Sequence, residues 1–165
     1  MKRNILFKSL IDILFFFLCF GILGVIFILP FGSININQAQ LKLEDWKVLH
    51  WGIFALTFVA YFTFLTAIYQ LRKVAHLMLK NKILTESIAL RLKKSGKLLI
   101  TSGLIYSLIV LLVWIYKLYD GKISFLYDSD SLTPLFIIII GVFFLIQSDV
   151  IITAKIASEE NNLTI

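Results

Sequence analysis

The chain has 165 residues, of which 59% are hydrophobic and 16% charged, and its formal net charge is +6. Soluble domains are nearer half apolar and a quarter charged, so this composition, with a mean hydropathy of +0.92, excludes an ordinary soluble domain. The only cysteine is Cys19, which excludes an intramolecular disulfide and a cysteine-cluster zinc site.

Four apolar stretches are each long enough to cross a bilayer, over residues 11–31, 48–71, 98–116 and 132–154. A helix needs about 20 apolar residues to cross a hydrocarbon core of roughly 30 Å. Because lipid offers no hydrogen bonds to an open backbone, each stretch must be helical. We therefore predict an all-α, integral membrane four-helix bundle that forms one domain over residues 1–165, with neighbouring helices antiparallel. Small residues in the spans permit close helix contact: Gly21, Gly24, Gly103, Ser107 and Gly141.

Most lysines and arginines lie on one side of the predicted membrane. Twelve of the sixteen are in the N-terminal leader, in the basic loop over residues 72–97, or at Lys155. Because such an excess marks cytoplasmic segments, we expect a multi-pass protein of the cytoplasmic (inner) membrane with both termini and this loop in the cytoplasm. These cations suit a bilayer with an anionic cytoplasmic leaflet, and we expect no direct contact with nucleic acid.

The two outer segments are short and polar. Alternation over Ser33–Asn37 hints at a strand, although a single strand would be marginally stable. Asp120-Gly121 indicates a turn, and Pro134 is expected in the first turn of the last span. Neither segment is long enough for a receptor domain.

The basic loop contains a predicted amphipathic helix. Thr85 can cap its N-terminus, with Glu86 in the first turn, and Gly96 is a possible bend before the third span. The apolar residues gather on one face: Ile88, Ala89 and Leu92. Two interpretations are open. The helix is either an anchor at the lipid headgroups or a docking face for a cytosolic partner that includes Arg91 and Lys94.

Ionisable groups at membrane depth are candidates for function. We predict a polar cluster in the inner leaflet made of Asp12, Gln70, Arg72, Lys73 and Asp149. Both aspartates are expected at similar depth, paired with Arg72, Lys73 or Lys8. Such a cluster either fixes the register of the helices through salt bridges or relays protons or cations, and the sequence leaves both interpretations open.

Motifs of common enzymes do not occur in the sequence: there is no GxSxG, P-loop, GxGxxG or HExxH. His50 and His76 are predicted at opposite membrane faces and cannot share a metal ion. We expect a non-enzymatic protein with no cofactor and no metal.

Two parts of the chain resemble a known bacterial family. One runs from Tyr69-Gln70-Leu71-Arg72-Lys73 to Leu84-Thr85-Glu86-Ser87 and Arg91-Leu92 through Gly96. The other is the C-terminal heptad Glu159-Glu160-Asn161-Asn162-Leu163-Thr164-Ile165, which is similar to the family's Glu-Glu-Asn-Asp-Leu-Thr-Ile ending. Over essentially its whole length the chain resembles the four-span membrane proteins of domain of unknown function 2975. It departs from them at Leu84, where phenylalanine is usual, and at Ser87 and Ile88, which replace a Glu-Asn pair.

The resemblance implies a four-span fold and a membrane location, but no reaction. Relatives are often encoded beside a small helix-turn-helix regulator, which implies a cytosolic DNA-binding partner. We expect the last span to end near Ala157 and to leave an exposed peptide that a partner could capture. The candidate partner-binding residues are Thr85, Glu86, Arg91, Lys94, Glu159, Glu160, Asn161, Leu163, Thr164 and Ile165.

Three functions are therefore considered. The first is a membrane protein that tethers, or senses for, such a regulator. The alternative is a small transporter or channel subunit that works as a homo-oligomer, and it predicts a water-accessible polar path. The third is an immunity or stress protein that only occupies the bilayer.

Overall fold

Four long helices make up most of the protein. The computed structural model describes residues 2–28, 33–36, 39–42, 48–79, 85–119 and 129–163. The helices are α1 (Lys2–Ile28), α2 (Val48–Leu79), α3 (Glu86–Tyr119) and α4 (Ser129–Leu163). Each contains a segment long and apolar enough to cross a membrane, by length and composition. The prediction of four membrane-spanning helices is confirmed to that extent.

A small hairpin lies between α1 and α2 in the chain. Strand β1 (Ser33–Ile36) pairs antiparallel with β2 (Ala39–Lys42), and Ser33 lies opposite Lys42. The alternating sequence predicted the first strand but not its partner. Pairing supplies the backbone hydrogen bonds that a single strand would lack.

The last three helices are longer than a bilayer requires. They have 32, 34 and 35 residues, which is about 48–52 Å at 1.5 Å per residue. Since α2 continues to Leu79 and α3 starts at Glu86, the predicted basic loop over residues 72–97 is mostly helix. Charged residues are expected where a chain leaves the hydrocarbon core, but they do not end a helix whose apolar face packs against neighbouring helices.

We call the end where α2 finishes and α3 begins the basic end. It also holds the first turn of α1, since Asn4 Nδ2 lies 3.5 Å from the carbonyl oxygen of Met78. The last part of α4 is there as well, because Lys155 reaches Glu86 at the start of α3. Neighbouring helices are therefore antiparallel, as predicted.

The helices pack in chain order: α1 on α2, α2 on α3, and α3 most extensively on α4. Among the described residues, α1 and α4 have little direct contact. The array is held together near the basic end by a shared core, to which α4 contributes Phe144 and Ile151. The buried members of this core are Ile11, Ile68, Leu71, Val74, Ala75, Ile88 and Leu92.

This core corrects one interpretation of the amphipathic segment. Ile88 and Ala89 have no exposed surface and Leu92 is 5% exposed. The three side chains do share a face, as predicted, but that face packs inside the protein and not against lipid headgroups. Burial against α1 and α2 removes more apolar surface from water than an interfacial position would.

Helices α3 and α4 approach each other at glycines. A Cβ atom at Gly96 would lie 2.7 Å from the carbonyl oxygen of Gly141, and one at Gly141 would lie 2.9 Å from that of Gly96. Further along, a Cβ at Gly103 would lie 3.0 Å from the carbonyl oxygen of Pro134. Gly96 is therefore a point of backbone contact within a continuous helix. Pro134 lies inside α4, because the helix begins earlier than predicted, at Ser129.

Buried hydroxyl groups join the helices to one another. Ser95 donates to the carbonyl of Ala67 at 3.0 Å and Ser102 to that of Ala60 at 2.9 Å, which ties α3 to α2. Between α2 and α1, the hydroxyl of Tyr61 donates to a backbone carbonyl at 2.6 Å. In a bilayer, where lipid offers no alternative acceptor, such bonds hold helices together.

The outer surface of the helices is apolar. Phe17 and Phe27 on α1 are 69% and 70% exposed, and Phe136 and Ile139 on α4 are 65% and 64% exposed. Side chains of this kind are lipid-facing in a membrane and would be an aggregation hazard in water. With the four candidate spans, they indicate a multi-pass membrane protein.

Candidate functional site

A cavity of 390 Å³ opens at the basic end between α1, α2 and α3. We call it the basic-end cavity. All of its lining residues except Leu77 carry a polar or charged group. They are Lys8, Asp12, Tyr69, Arg72, Lys73, His76, Leu77 and Arg91. It contains three of the five residues of the predicted polar cluster.

An ion pair between α1 and α2 forms one wall of this cavity. Arg72 donates its Nε–H to Asp12 Oδ1 at 2.6 Å, and Lys8 Nζ lies 3.9 Å from the other carboxylate oxygen. The guanidinium also lies over the ring of Phe15, 5.2 Å from its centroid. The predicted pairing of Asp12 with Arg72 is present, and it links the first helix to the second.

The opposite wall of the cavity contains Arg91, which the sequence analysis placed on a partner-binding surface. Arg91 Nη1 donates to Gln70 Oε1 at 3.3 Å, and Gln70 is 8% exposed. Lys73 Nζ lies 4.3 Å from the ring centroid of Tyr69. The sequence placed Arg91 on a partner-binding surface, whereas the structure places it in the cavity wall. The turn of α3 that buries Leu92 also directs Arg91 toward α2.

Asp149 does not join this cluster. It is exposed on α4, and within the described chain its carboxylate forms no ion pair. The preceding residue explains its direction, because Ser148 is fully buried and donates to the carbonyl of Ala89 on α3 at 2.8 Å. Successive helical residues differ by about 100°, so Asp149 turns away from α3. The predicted cluster is therefore corrected to Asp12, Gln70, Arg72 and Lys73, with Lys8 and Arg91 added.

We expect Asp12→Asn to lower stability by about 0.5–1 kcal/mol, because the pair that it breaks is partly exposed and therefore screened. The side chains of Asp12 and Arg72 are 31% and 46% exposed. Unfolding midpoints in mild detergent, measured at low and high salt, would check this. Asp149→Asn is the matched control and should leave the midpoint unchanged, whereas equal losses from both substitutions would contradict the assignment.

A second group of polar residues lies where α3 begins and α4 ends. Lys155 Nζ lies 3.5 Å from Glu86 Oε2 and 3.6 Å from Glu159 Oε1. Thr85 precedes α3, and its carbonyl oxygen accepts the backbone N–H groups of Ile88 and Ala89 at 3.0 and 3.2 Å. The predicted helix start is thus confirmed. Lys155 was counted only for orientation in the sequence, and its i,i+4 spacing to Glu159 was the one available signal of this role.

The C-terminal segment is helical and not an extended tail. Helix α4 continues to Leu163, which corrects the expected end near Ala157. Glu159, Glu160 and Asn161 are exposed along this part of the helix. Leu163 is its last residue, and Thr164 and Ile165 lie outside the described residues. The i,i+4 pair of Lys155 with Glu159 lies in this part of the helix and contributes only a few tenths of a kcal/mol.

We call the exposed residues Glu86, Glu159, Glu160 and Asn161 the α3–α4 acidic surface. Lys94 is also exposed on α3 and, among the described residues, has no ion pair. The structure therefore brings the start of α3 next to the end of α4, two segments separated by about half of the sequence, and it separates Arg91 from them.

The family resemblance can now be tested against the whole chain. A family model described as "Protein of unknown function (DUF2975)" matches residues 34–165. The chain belongs to this family. The DUF2975 match includes α2, α3 and α4 and therefore the whole α3–α4 acidic surface, whereas Lys8 and Asp12 of the basic-end cavity precede it. No curated protein and no solved structure has significant similarity to this DUF2975 protein.

Proposed function

We propose that this protein is a non-enzymatic tether of the bacterial cytoplasmic membrane that holds a small cytosolic helix-turn-helix regulator on its α3–α4 acidic surface. The supporting observation is the position of Lys155, within 4 Å of both Glu86 and Glu159. It brings together the two segments that resemble the family most closely. A partner could therefore contact both segments at once.

The charge of this surface suits a cationic partner. Glu159 and Glu160 lie near the C-terminus of α4, where the helix dipole is negative, and the last turn contains no basic residue. Acidic groups at that position cost a few tenths of a kcal/mol each. Residues that are unfavourable for the local structure are expected at functional sites. DNA-binding domains carry basic surfaces, so binding here would compete with DNA.

The geometry favours docking of a helix over capture of a peptide. The segment from Lys155 to Leu163 extends about 12 Å at 1.5 Å per residue, past the point where α3 begins. A projecting helix presents residues at i, i+3 and i+4 to a groove on its partner. This changes the expected mode of recognition and keeps four of the predicted partner-binding residues: Glu86, Glu159, Glu160 and Asn161.

The proposal requires the basic end to face the cytoplasm. In the sequence, twelve of the sixteen lysines and arginines are in the N-terminal leader, in residues 72–97 or at Lys155, and the positive-inside rule places such segments in the cytoplasm. The α3–α4 acidic surface would then be accessible to a cytosolic protein.

The buried polar groups support binding over transport. In the described part of the chain these are Gln70, Ser95, Ser102 and Ser148. Each makes a hydrogen bond to a neighbouring helix. Polar groups used in this way join helices and do not line a path for ions.

Affinity purification from native membranes in mild detergent tests the proposal. Full-length protein should recover a helix-turn-helix protein. The charge reversal of Glu159→Lys with Glu160→Lys should reduce its recovery about ten-fold, which corresponds to the loss of one close charge pair with a coupling energy of about 1.5 kcal/mol. Deletion of residues 159–165 should abolish recovery.

Asp149→Asn alters another exposed carboxylate on α4 and is the control that should retain binding. Recovery of the regulator that is unaffected by the charge reversal would contradict the proposed surface. If no DNA-binding protein is recovered with the full-length chain, the tethering function is wrong.

A further inference from the structure

The basic-end cavity has an excess of positive charge. Lys8, Arg72, Lys73 and Arg91 line it with one carboxylate, Asp12. That carboxylate is already paired with Arg72 and Lys8. In the described part of the chain, Lys73 and Arg91 have no carboxylate partner. A concave space lined by one sign of charge concentrates ions of the opposite sign.

The donors in the cavity match phosphate. Arg72 uses its Nε–H for Asp12, and a guanidinium has four further N–H donors in its planar fork. Arg91 donates through Nη1 to Gln70 and likewise has other donors. Phosphate oxygens accept bidentate bonds from arginine and point-charge contacts from lysine.

A mainly apolar groove adjoins this cavity. We call it the α1 groove. Its volume is 650 Å³, and Lys8 and Asp12 line both spaces. The remaining wall is formed by Ile5, Ser9, Ile13, Phe16, Phe17 and Leu79. Since Phe16 and Phe17 are 61% and 69% exposed, this face of α1 lies against acyl chains in a bilayer.

We propose that the basic-end cavity and the α1 groove together bind one anionic phospholipid from the leaflet at the basic end. Its phosphate lies among Arg72, Lys73 and Arg91, and an acyl chain follows α1 past Phe16 and Phe17. Basic pockets between membrane helices are suited to such headgroups. The inference goes beyond the proposed tethering function and does not depend on it, because this site lies on α1, α2 and α3, away from the α3–α4 acidic surface.

A bound lipid would also hold the first helix in place. Helix α1 packs extensively on α2 alone, while the cavity is lined by residues of α1, α2 and α3. A lipid whose phosphate lies among Arg72, Lys73 and Arg91 and whose acyl chain follows α1 would connect α1 to α3. Lipid binding should therefore raise the unfolding midpoint, because a ligand that binds only the folded state stabilises it.

Titration of the full-length protein in mild detergent tests the inference. Dioleoyl phosphatidylglycerol is added, bound lipid is counted by native mass spectrometry, and the unfolding midpoint is measured in parallel. Dioleoyl phosphatidylcholine supplies the same chains with a zwitterionic headgroup, and sodium phosphate supplies the anion without chains. We expect phosphatidylglycerol to bind and to raise the midpoint, and the other two to do so at least about ten-fold less effectively at equal concentration.

A matched pair of double variants separates the cavity from net charge. Lys73→Gln with Arg91→Gln removes two cations from the cavity, whereas Lys93→Gln with Lys94→Gln removes two from the exposed face of α3. The first pair should weaken phosphatidylglycerol binding by at least about ten-fold, since each cation near a headgroup contributes about 1 kcal/mol. The second should leave binding near the wild-type value.

Three single variants complete the test. Lys73→Gln keeps the bond between Arg91 and Gln70, so its weaker binding would not come from a disturbed helix contact. Phe17→Ala should reduce phosphatidylglycerol binding, whereas Phe27→Ala, at an equally exposed position of α1 outside the groove, should not.

Three results would overturn the inference. If both double variants weakened phosphatidylglycerol binding equally, the binding would depend on net charge and not on the cavity. Equal binding of phosphatidylcholine would remove the selection for an anionic headgroup. Stabilisation by sodium phosphate as strong as that by phosphatidylglycerol would assign the cavity to a soluble phosphate compound and leave the α1 groove without a role.

Discussion

Gly141→Leu is expected to abolish the folded four-helix assembly, and Gly141→Ala to weaken it strongly. A Cβ at this position would lie 2.7 Å from Ile100 Cγ1 and 2.9 Å from the carbonyl oxygen of Gly96. The side chain of Ile100 can move, but the backbone of α3 cannot move without disturbing the whole contact between α3 and α4. Overpacking of this kind costs about 1–3 kcal/mol and more where backbone must shift.

The measurement is the fraction of monodisperse protein after heating in mild detergent, read by fluorescence size-exclusion chromatography. Gly24→Leu is the matched control, because a Cβ at Gly24 meets nothing within 4 Å. It should keep the wild-type profile. If the two leucine variants behave alike, the backbone contact at Gly96 and Gly141 is not what holds α4 in place.

Ile88→Ala is expected to lower the free energy of unfolding by about 2–4 kcal/mol, because it removes a fully buried side chain and leaves a cavity. Ile88 has no exposed surface and belongs to the core shared by α1, α2 and α3. If this face were a headgroup anchor, the substitution would mainly weaken contact with lipid and leave the helix assembly intact.

Leu90→Ala provides the comparison. Leu90 lies two residues further along α3 and is 56% exposed, so its truncation should cost less than about 0.5 kcal/mol. Denaturation in mixed micelles with increasing sodium dodecyl sulphate would give both values. A loss at Leu90 as large as that at Ile88 would support the anchor interpretation over a protein core.

The two regions at the basic end differ in how they are built. The basic-end cavity is formed by α1, α2 and α3, and its cations are offset in part by Asp12. The α3–α4 acidic surface uses Lys155 to join Glu86 at the start of α3 with Glu159 near the end of α4. One region thus suits an anion at the membrane and the other a cation in the adjacent water.

Individual residues show which features of the structure could be predicted from the sequence pattern. The position of Thr85 before α3 and the shared face of Ile88, Ala89 and Leu92 follow from local preferences and a 3.6-residue period. The ion pair between Asp12 and Arg72 could be predicted from the depth of the two residues in the membrane, because both were expected at the same level. Asp149 was expected at the same level and yet is absent from the cluster, since depth does not specify which way a side chain points around its helix.

What the sequence by itself determined is the number of spans, their approximate extent, the family and the gathering of positive charge at one end. These follow because hydrophobicity and charge act residue by residue, whatever the partners are. Only the tertiary structure decided that Arg91 faces the cavity, that α4 remains helical to Leu163, and that Lys155 lies between Glu86 and Glu159. The positions of Arg91 and Lys155 depend on how each helix is rotated about its own axis. That rotation is set by contacts between residues distant in the sequence, such as the contact between Gly96 and Gly141.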